Sequence, residues 1–214
     1  MLELFPVYLD VTGRSCLVVG GGEVACRKVR NLLECGASIT VVAPEAEEGI
    51  RQLARNREVT WYDREFVETD LEGMFLVFSA TNQEGLNEVI AELCKKRNIL
   101  VNVVDDPPRC TFLVPSVVRR GPLSVAISTG GNSPLFARKL REQLEQIITR
   151  EHGEFVELLG QAREMAKRAY PDDMARRRKV FEALVDSDIL ELLFKGEKDR
   201  AKERIEQCIF SLPD

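Results

Sequence analysis

The stretch 15–36, SCLVVGGGEVACRKVRNLLECG, constrains the fold more than any other part of the chain. The apolar run Cys16 to Val19 stops at three glycines, and Val24, Val29, Leu32 and Leu33 then recur at helical spacing. Strand, glycine turn and helix in that order form the context in which a G-x-G-x-x-G/A spacing carries meaning. Here the spacing is filled by Gly20, Gly22 and Ala25. Gly20 lets the chain turn sharply out of the strand, Gly22 leaves room for a pyrophosphate against the backbone, and Ala25 lets the helix pack close to the strand. The N–H groups of Glu23 and Val24 then face the phosphates at the positive end of the helix dipole. The competing reading is a glycine-rich turn with no ligand; the flanking pattern favours the dinucleotide site.

Composition narrows the class. The chain has 214 residues, 44% hydrophobic and 30% charged, enough to bury a core as one large or two small domains. A net charge of -5 argues against general nucleic-acid binding. Residues 1–10 carry two acids, a proline and no base, unlike a secretory leader, and no apolar run reaches membrane-spanning length. The six cysteines never form C-x-x-C and several occupy apolar positions, which predicts reduced thiols in a cytoplasmic protein. With one histidine, His152, no resident metal site is expected.

Over residues 1–11, Leu4, Phe5, Val7, Leu9 and Val11 alternate and predict a lead-in edge segment. After the glycine helix, Ser38 to Ala43 predicts a buried parallel strand, 45–55 a helix, 59–62 a short strand, 74–80 a strand, 85–97 a helix and 99–104 a strand. This alternation predicts an α/β fold with a parallel sheet of the dinucleotide-binding (Rossmann) type. Ligands of such sheets lie past the carboxyl ends of the strands, where the glycine turn, Ala43-Pro44, Ala80-Thr81 and Asp105 all fall. Asp105-Asp106 before two prolines reads locally as turn chemistry.

The pattern changes beyond this point. Segments 111–118 and 123–128 predict an antiparallel pair around Arg119-Arg120-Gly121-Pro122. A second glycine-rich turn, Thr129 to Ser133, opens a helix from Pro134 to about Arg150, with Ser133 as N-cap and Pro134 at N1. Its spacing alone favours a capped helix without a ligand. From Glu151 onward the chain predicts helices only.

Six motifs together resemble one family: VVGGGEVACRKV, ITVVAPE, FSATN, VNVVDDP, TFLVPSVVRRGPLSVAIS and TGGNSPLFARKLREQLE. The chain is similar to precorrin-2 dehydrogenases, both free-standing forms and the N-terminal part of multifunctional sirohaem synthases. The resemblance is specific through Glu142. It implies a nucleotide-binding domain over 1–113, a mixed hairpin and helix dimerisation segment over 114–150 and a small all-helical domain over 151–214. It also implies an intertwined homodimer, with Phe112, Leu113, Val114, Val117, Val118, Phe136 and Leu140 as its apolar residues. The implied reaction oxidises precorrin-2 to sirohydrochlorin with NAD accepting hydride; some members also insert ferrous iron. The aspartate of N-V-V-D, here Asp105, is implied as the acid/base group, in a partly dry setting beside the cofactor. Asp106 stays a turn residue.

The glycine turn, the helix start and the strand ends place the cofactor at Gly20, Gly22, Glu23, Val24, Ala43, Pro44, Glu45, Ala80 and Thr81. A typical fingerprint places an acid at the end of strand two for the ribose. Here Ala43 and Pro44 stand there and Glu45 follows, which predicts looser ribose recognition. No arginine stands at that end, so NAD is expected over NADP. The polycarboxylate tetrapyrrole substrate needs basic partners: Arg119, Arg120 and Arg138 are candidates, with the run 176–179 behind them. Thr129, Gly130, Asn132 and Ser133 are candidates for its carboxylates. In some relatives a serine near here is phosphorylated; Thr129 holds the matching position, beside Ser128. Two other readings stay open, a non-catalytic NAD-sensing module with a helical output domain and a scaffold that binds no nucleotide.

Overall fold

The computed structural model describes residues 4–211. The chain divides into two compact units, Met1–Val114 and Pro115–Asp214. The first contains β1 (Ser15–Val19), α1 (Glu23–Glu34), β2 (Ser38–Val42), α2 (Glu48–Arg55), β3 (Thr60–Tyr62), β4 (Leu76–Ser79), α3 (Glu84–Lys96) and β5 (Leu100–Val103). The five strands are all parallel, in the order β3-β2-β1-β4-β5. In β1, Cys16 and Val18 turn to one apolar layer, with Val29 and Leu32 of α1. Leu17 and Val19 turn to the other, with Ile90 and Cys94 of α3. Because both faces are covered, β1 reads as an unbroken apolar run. The order reverses direction at β1, between β2 on one side and β4 on the other. That switch point opens a crevice at the carboxyl ends of β1 and β4.

Three expectations are corrected here. Residues 4–11 form no strand; Leu4, Phe5, Val7, Tyr8 and Leu9 are exposed and Val11 alone is buried. Both edges of β1 are already paired, and Pro6 has no N–H to offer a ladder. The expected segment also included residues 1–3, which lie outside the described residues. Second, α2 starts at Glu48 instead of residue 45. Residues 44–47 instead pack on the glycine turn, where the Glu47 N–H donates to the Gly21 carbonyl at 2.7 Å. Third, the strand expected from Thr111 begins only at Ser116. Thr111 binds the edge of β5 twice: its N–H donates to the Val101 carbonyl at 2.8 Å, and its Oγ1 accepts from the Val101 N–H at 2.8 Å. An exposed edge is thereby closed with side-chain chemistry.

The second unit pairs β6 (Ser116–Arg120) antiparallel with β7 (Leu123–Ile127) across Gly121-Pro122. Helices α4 (Pro134–Ile147), α5 (Arg150–Ala169), α6 (Met174–Val185), α7 (Ile189–Phe194) and α8 (Lys198–Phe210) follow. Ala162, Ala166, Val180, Leu184, Ile189, Leu192, Ala201, Ile205 and Ile209 form its core. Gly153 sits inside α5, where a glycine costs about 1 kcal/mol against alanine. A Cβ there would stand 2.4 Å from the Arg120 carbonyl oxygen, so the glycine is what lets the hairpin lie on the helix. His152 Nδ1 accepts from the Thr149 N–H at 3.2 Å and caps α5, which gives this histidine a structural task.

Candidate active site

The glycine turn after β1 is built by close approach. At Gly20, φ is +119°, and a Cβ would stand 2.2 Å from the Ala80 carbonyl oxygen. At Gly21 it would stand 1.9 Å from the Glu45 carbonyl oxygen. The turn is therefore wedged between the ends of β4 and β2. Gly22 differs: nothing lies within 4 Å of its Cβ position, so it faces open space. It is the N-cap of α1, in extended backbone, with no side-chain cap. Among the described residues no protein group accepts from the N–H groups of Gly22, Glu23, Val24 or Ala25. Four donors converge at the positive end of a helix dipole, which is a seat for a pyrophosphate. The residues present fit a dinucleotide.

Around this seat, Ala43 is buried while Pro44 and Glu45 are exposed at the end of β2. The Ala43 carbonyl already accepts from the Trp61 indole at 3.1 Å. At the end of β4, Thr81 is fixed by an asparagine. Thr81 Oγ1 and the buried Ser79 Oγ both donate to Asn87 Oδ1, at 2.9 and 2.7 Å, and Asn87 Nδ2 donates to the Thr81 carbonyl at 3.0 Å.

Asp105 lies in the turn after β5, with φ +60°, one of three non-glycine residues with positive φ among those described. Aspartate tolerates this region better than most residues, at a cost of roughly 1 kcal/mol. The expected partly dry setting is not found: Asp105 is exposed. The left-handed turn lifts it off the end of the sheet. Asp106 is occupied locally by Arg109, which also reaches Glu88 at 3.6 Å. Beneath this turn, Cys110 Sγ donates to the carbonyls of Val103 and Asp106, at 3.3 and 3.2 Å, and accepts from the Val103 N–H at 3.2 Å. Burial pushes its thiol pKa up, so it serves as a neutral clasp. Asn102 Nδ2 donates to the Phe112 carbonyl at 3.0 Å.

The substrate candidates belong to the second unit. Thr129, Gly130, Asn132 and Ser133 form a turn that largely satisfies itself. Thr129 Oγ1 accepts from the Ser133 N–H at 3.1 Å, and the Thr129 carbonyl accepts from Asn132 N and Nδ2 at 3.0 and 2.8 Å. Ser133 Oγ accepts from the Phe136 N–H at 3.3 Å as an N-cap. Arg138 is exposed and paired with Glu142 at 2.9 Å along α4. Arg120 donates to the carbonyls of Arg119 and Glu145. Arg119 and Arg120 line a cavity of about 520 Å³ with Gly153, Glu157, Gln161 and Lys202. Of the apolar set assigned to a dimer, Phe112 packs edge-on against Phe78 and Val118 is buried, whereas Val114 and Phe136 are exposed.

Sequence reasoning missed Asn87, Asn102, Cys110 and Lys28 of α1. The signal for Asn102 lay in the residue itself and that for Asn87 in its partner Ser79: Asn102 and Ser79 are polar residues inside apolar strands, and a buried polar group demands a partner.

Comparison with known proteins agrees with this geometry. Three family profiles match in succession: NAD(P)-binding over residues 7–116, sirohaem biosynthesis protein central over 120–147 and sirohaem synthase dimerisation region over 151–209. The dimerisation description thus falls on the helical part of the chain. The siroheme synthase of Thioalkalivibrio sulfidiphilus is 39% identical over 208 residues, 97% of this chain and 42% of its own length. That of Pseudoalteromonas atlantica is 40% identical, over 96% of this chain and 44% of its own length. The chain spans less than half the length of these relatives. The solved structure of SirC, precorrin-2 dehydrogenase, matches with a TM-score of 0.80 at 29% identity, covering 95% of this chain and 100% of that one. With its profile over about half of the chain, the NAD(P)-binding family is the one this chain belongs to, and the sirohaem central and sirohaem synthase dimerisation profiles follow it in order.

Proposed function

We propose that this chain oxidises precorrin-2 to sirohydrochlorin with NAD as hydride acceptor. The observation that supports the reading best is the set of free N–H groups at Gly22 to Ala25, at the switch point of a five-stranded parallel sheet. When bound, NAD supplies a two-electron sink at its nicotinamide ring. Gly20, Gly22, Glu23 and Val24 hold the pyrophosphate. Ala43, Pro44 and Glu45 border the ribose; residues 43–47 carry no basic side chain, and Arg51 beside them is engaged by the Ala46 carbonyl and the Trp61 ring, which supports NAD over NADP. Ala80 and Thr81, locked by Asn87, wall the nicotinamide side. The macrocycle loses a hydride to the cofactor and a proton to a base, and Asp105 takes that proton. Arg119, Arg120 and Arg138 and the turn Thr129, Gly130, Asn132 and Ser133 are the proposed partners of the substrate carboxylates.

The working form is proposed to be a homodimer in the cytoplasm. Leu135, Phe136 and Ile147 are 63%, 59% and 65% exposed along α4, a face for a second copy to cover. No described helix is long and apolar enough to cross a membrane. Light scattering is expected to give twice 24.2 kDa.

The decisive assay mixes the protein with precorrin-2 and NAD without oxygen and follows sirohydrochlorin absorbance. Wild type turns over, and Asp105→Ala loses at least about 100-fold in rate with NAD affinity unchanged. Full rate in Asp105→Ala removes Asp105 from the mechanism. NAD binding without turnover in wild type replaces the enzyme with a sensor. Sirohydrochlorin with ferrous ion then tests metal insertion into the macrocycle.

A further inference from the structure

Lys28 has no place in the scheme above. It projects from the second turn of α1 on the sheet face that carries Phe78 and Phe112. Its Nζ stands 5.1 Å from the centroid of the Phe78 ring. Phe78 pairs in register with Asn102, so this ring lies under the strand that leads to Asp105. The side chain is half-buried, and among the described residues no carboxylate comes within ion-pair distance of it. Burial lowers its pKa, the Arg27 charge adds to that, and the Asp105 charge opposes it. Most other cations of the chain sit on exposed surface, many of them in ion pairs such as Arg55–Glu48 and Arg138–Glu142. A partly desolvated ammonium without an anion is costly to keep. Its surroundings supply the aromatic face of Phe78, on the strand paired with the one that leads to Asp105.

We propose that Lys28 is a substrate anchor: its ammonium donates to a carboxylate of the tetrapyrrole and sets the macrocycle against Asp105. The assignment rests on the dehydrogenase reading above. A cofactor phosphate offers the same anionic chemistry, and the two sources separate by experiment. Full-length wild type, Lys28→Met and Lys28→Arg are compared without turnover. Sirohydrochlorin, the stable product, is titrated alone by absorbance without oxygen, and NAD alone by fluorescence. Urea unfolding checks each fold.

Lys28→Met is expected to weaken sirohydrochlorin about tenfold and leave NAD within twofold, with Lys28→Arg recovering most of the loss. Weakened NAD with unchanged sirohydrochlorin overturns the proposal in favour of phosphate contact. No change in either ligand overturns it in favour of a lysine that only covers Phe78. If wild type binds NAD and no sirohydrochlorin, the dehydrogenase reading falls and the anchor falls with it. Normal wild-type binding with an unaffected Lys28→Met removes the anchor alone.

Discussion

The chain starts two helices from glycine-rich turns after β-strands, and the two turns do opposite things with their donors. Before α1, the N-cap is Gly22, no side chain reaches back, and the N–H groups of Gly22 to Ala25 stay free. Before α4, the N-cap is Ser133, whose Oγ takes the Phe136 N–H, while Thr129 takes the donors of Asn132 and Ser133. Glycine count does not distinguish them: Gly130 and Gly131 also have positive φ. The difference lies in the residues between the glycines. Ser, Thr and Asn carry oxygens that satisfy a helix start from within, whereas Gly and Glu-Val leave it to a ligand. A free helix start is an anion site and a capped one is a joint.

Gly20→Val breaks the first turn outright and carries the largest expected effect. The new Cβ lands 2.2 Å from the Ala80 carbonyl, at a φ of +119° that valine avoids. Roughly 3 kcal/mol or more of stability is lost, and NAD binding with it. The measurements are urea unfolding and NAD titration; a variant that keeps both means the wedge against Ala80 is not needed. Gly22→Ser is gentler and more informative, because it gives the first turn the cap of the second. Gly22 has φ -79°, and no atom lies within 4 Å of its Cβ position, so serine fits. Its Oγ would take the Ala25 N–H as Ser133 takes that of Phe136. Stability is expected to rise by about 0.5 kcal/mol. NAD affinity is expected to fall about tenfold, as one phosphate donor is lost and the hydroxyl intrudes. Unchanged NAD affinity would show that these amides do not carry the phosphates.

How much of this was legible follows from what each signal depends on. The central strands β1 and β4 were readable because burial on both faces leaves unbroken apolar runs, as in Cys16 to Val19. Residues 4–11 were misread because alternation shows only that a strand is affordable to the pattern, and says nothing of whether an edge is free to pair. Gly20 and Gly22 were readable as a motif, although their division of labour, one wedged and one open, depends on Ala80 and on empty space. Asp105 was found by its motif and its strand-end position. Its exposure was missed, because a left-handed φ at one residue leaves no trace in a local pattern. Asn87 was signalled by the buried Ser79 of the strand before it, whereas Lys28 meets Phe78 only after β1 and β4 align, so nothing adjacent to it in sequence marks it.

Ser133→Ala carries the smallest expected effect and tests the other half of the comparison. Removing the hydroxyl frees the Phe136 N–H and costs about 1 kcal/mol in urea unfolding, the usual loss for an N-cap. NAD affinity is expected to stay unchanged, since the proposed nucleotide seat is at Gly22. Sirohydrochlorin affinity is the sharper readout, because this turn is also a candidate for the substrate carboxylates. If the turn is a joint, stability falls and tetrapyrrole binding holds within about twofold, because an N-cap acts on α4 through the backbone alone. If stability holds and tetrapyrrole binding falls about tenfold, the hydroxyl serves a ligand. Both glycine turns are then anion sites, and the distinction drawn between a free and a capped helix start fails at its second member.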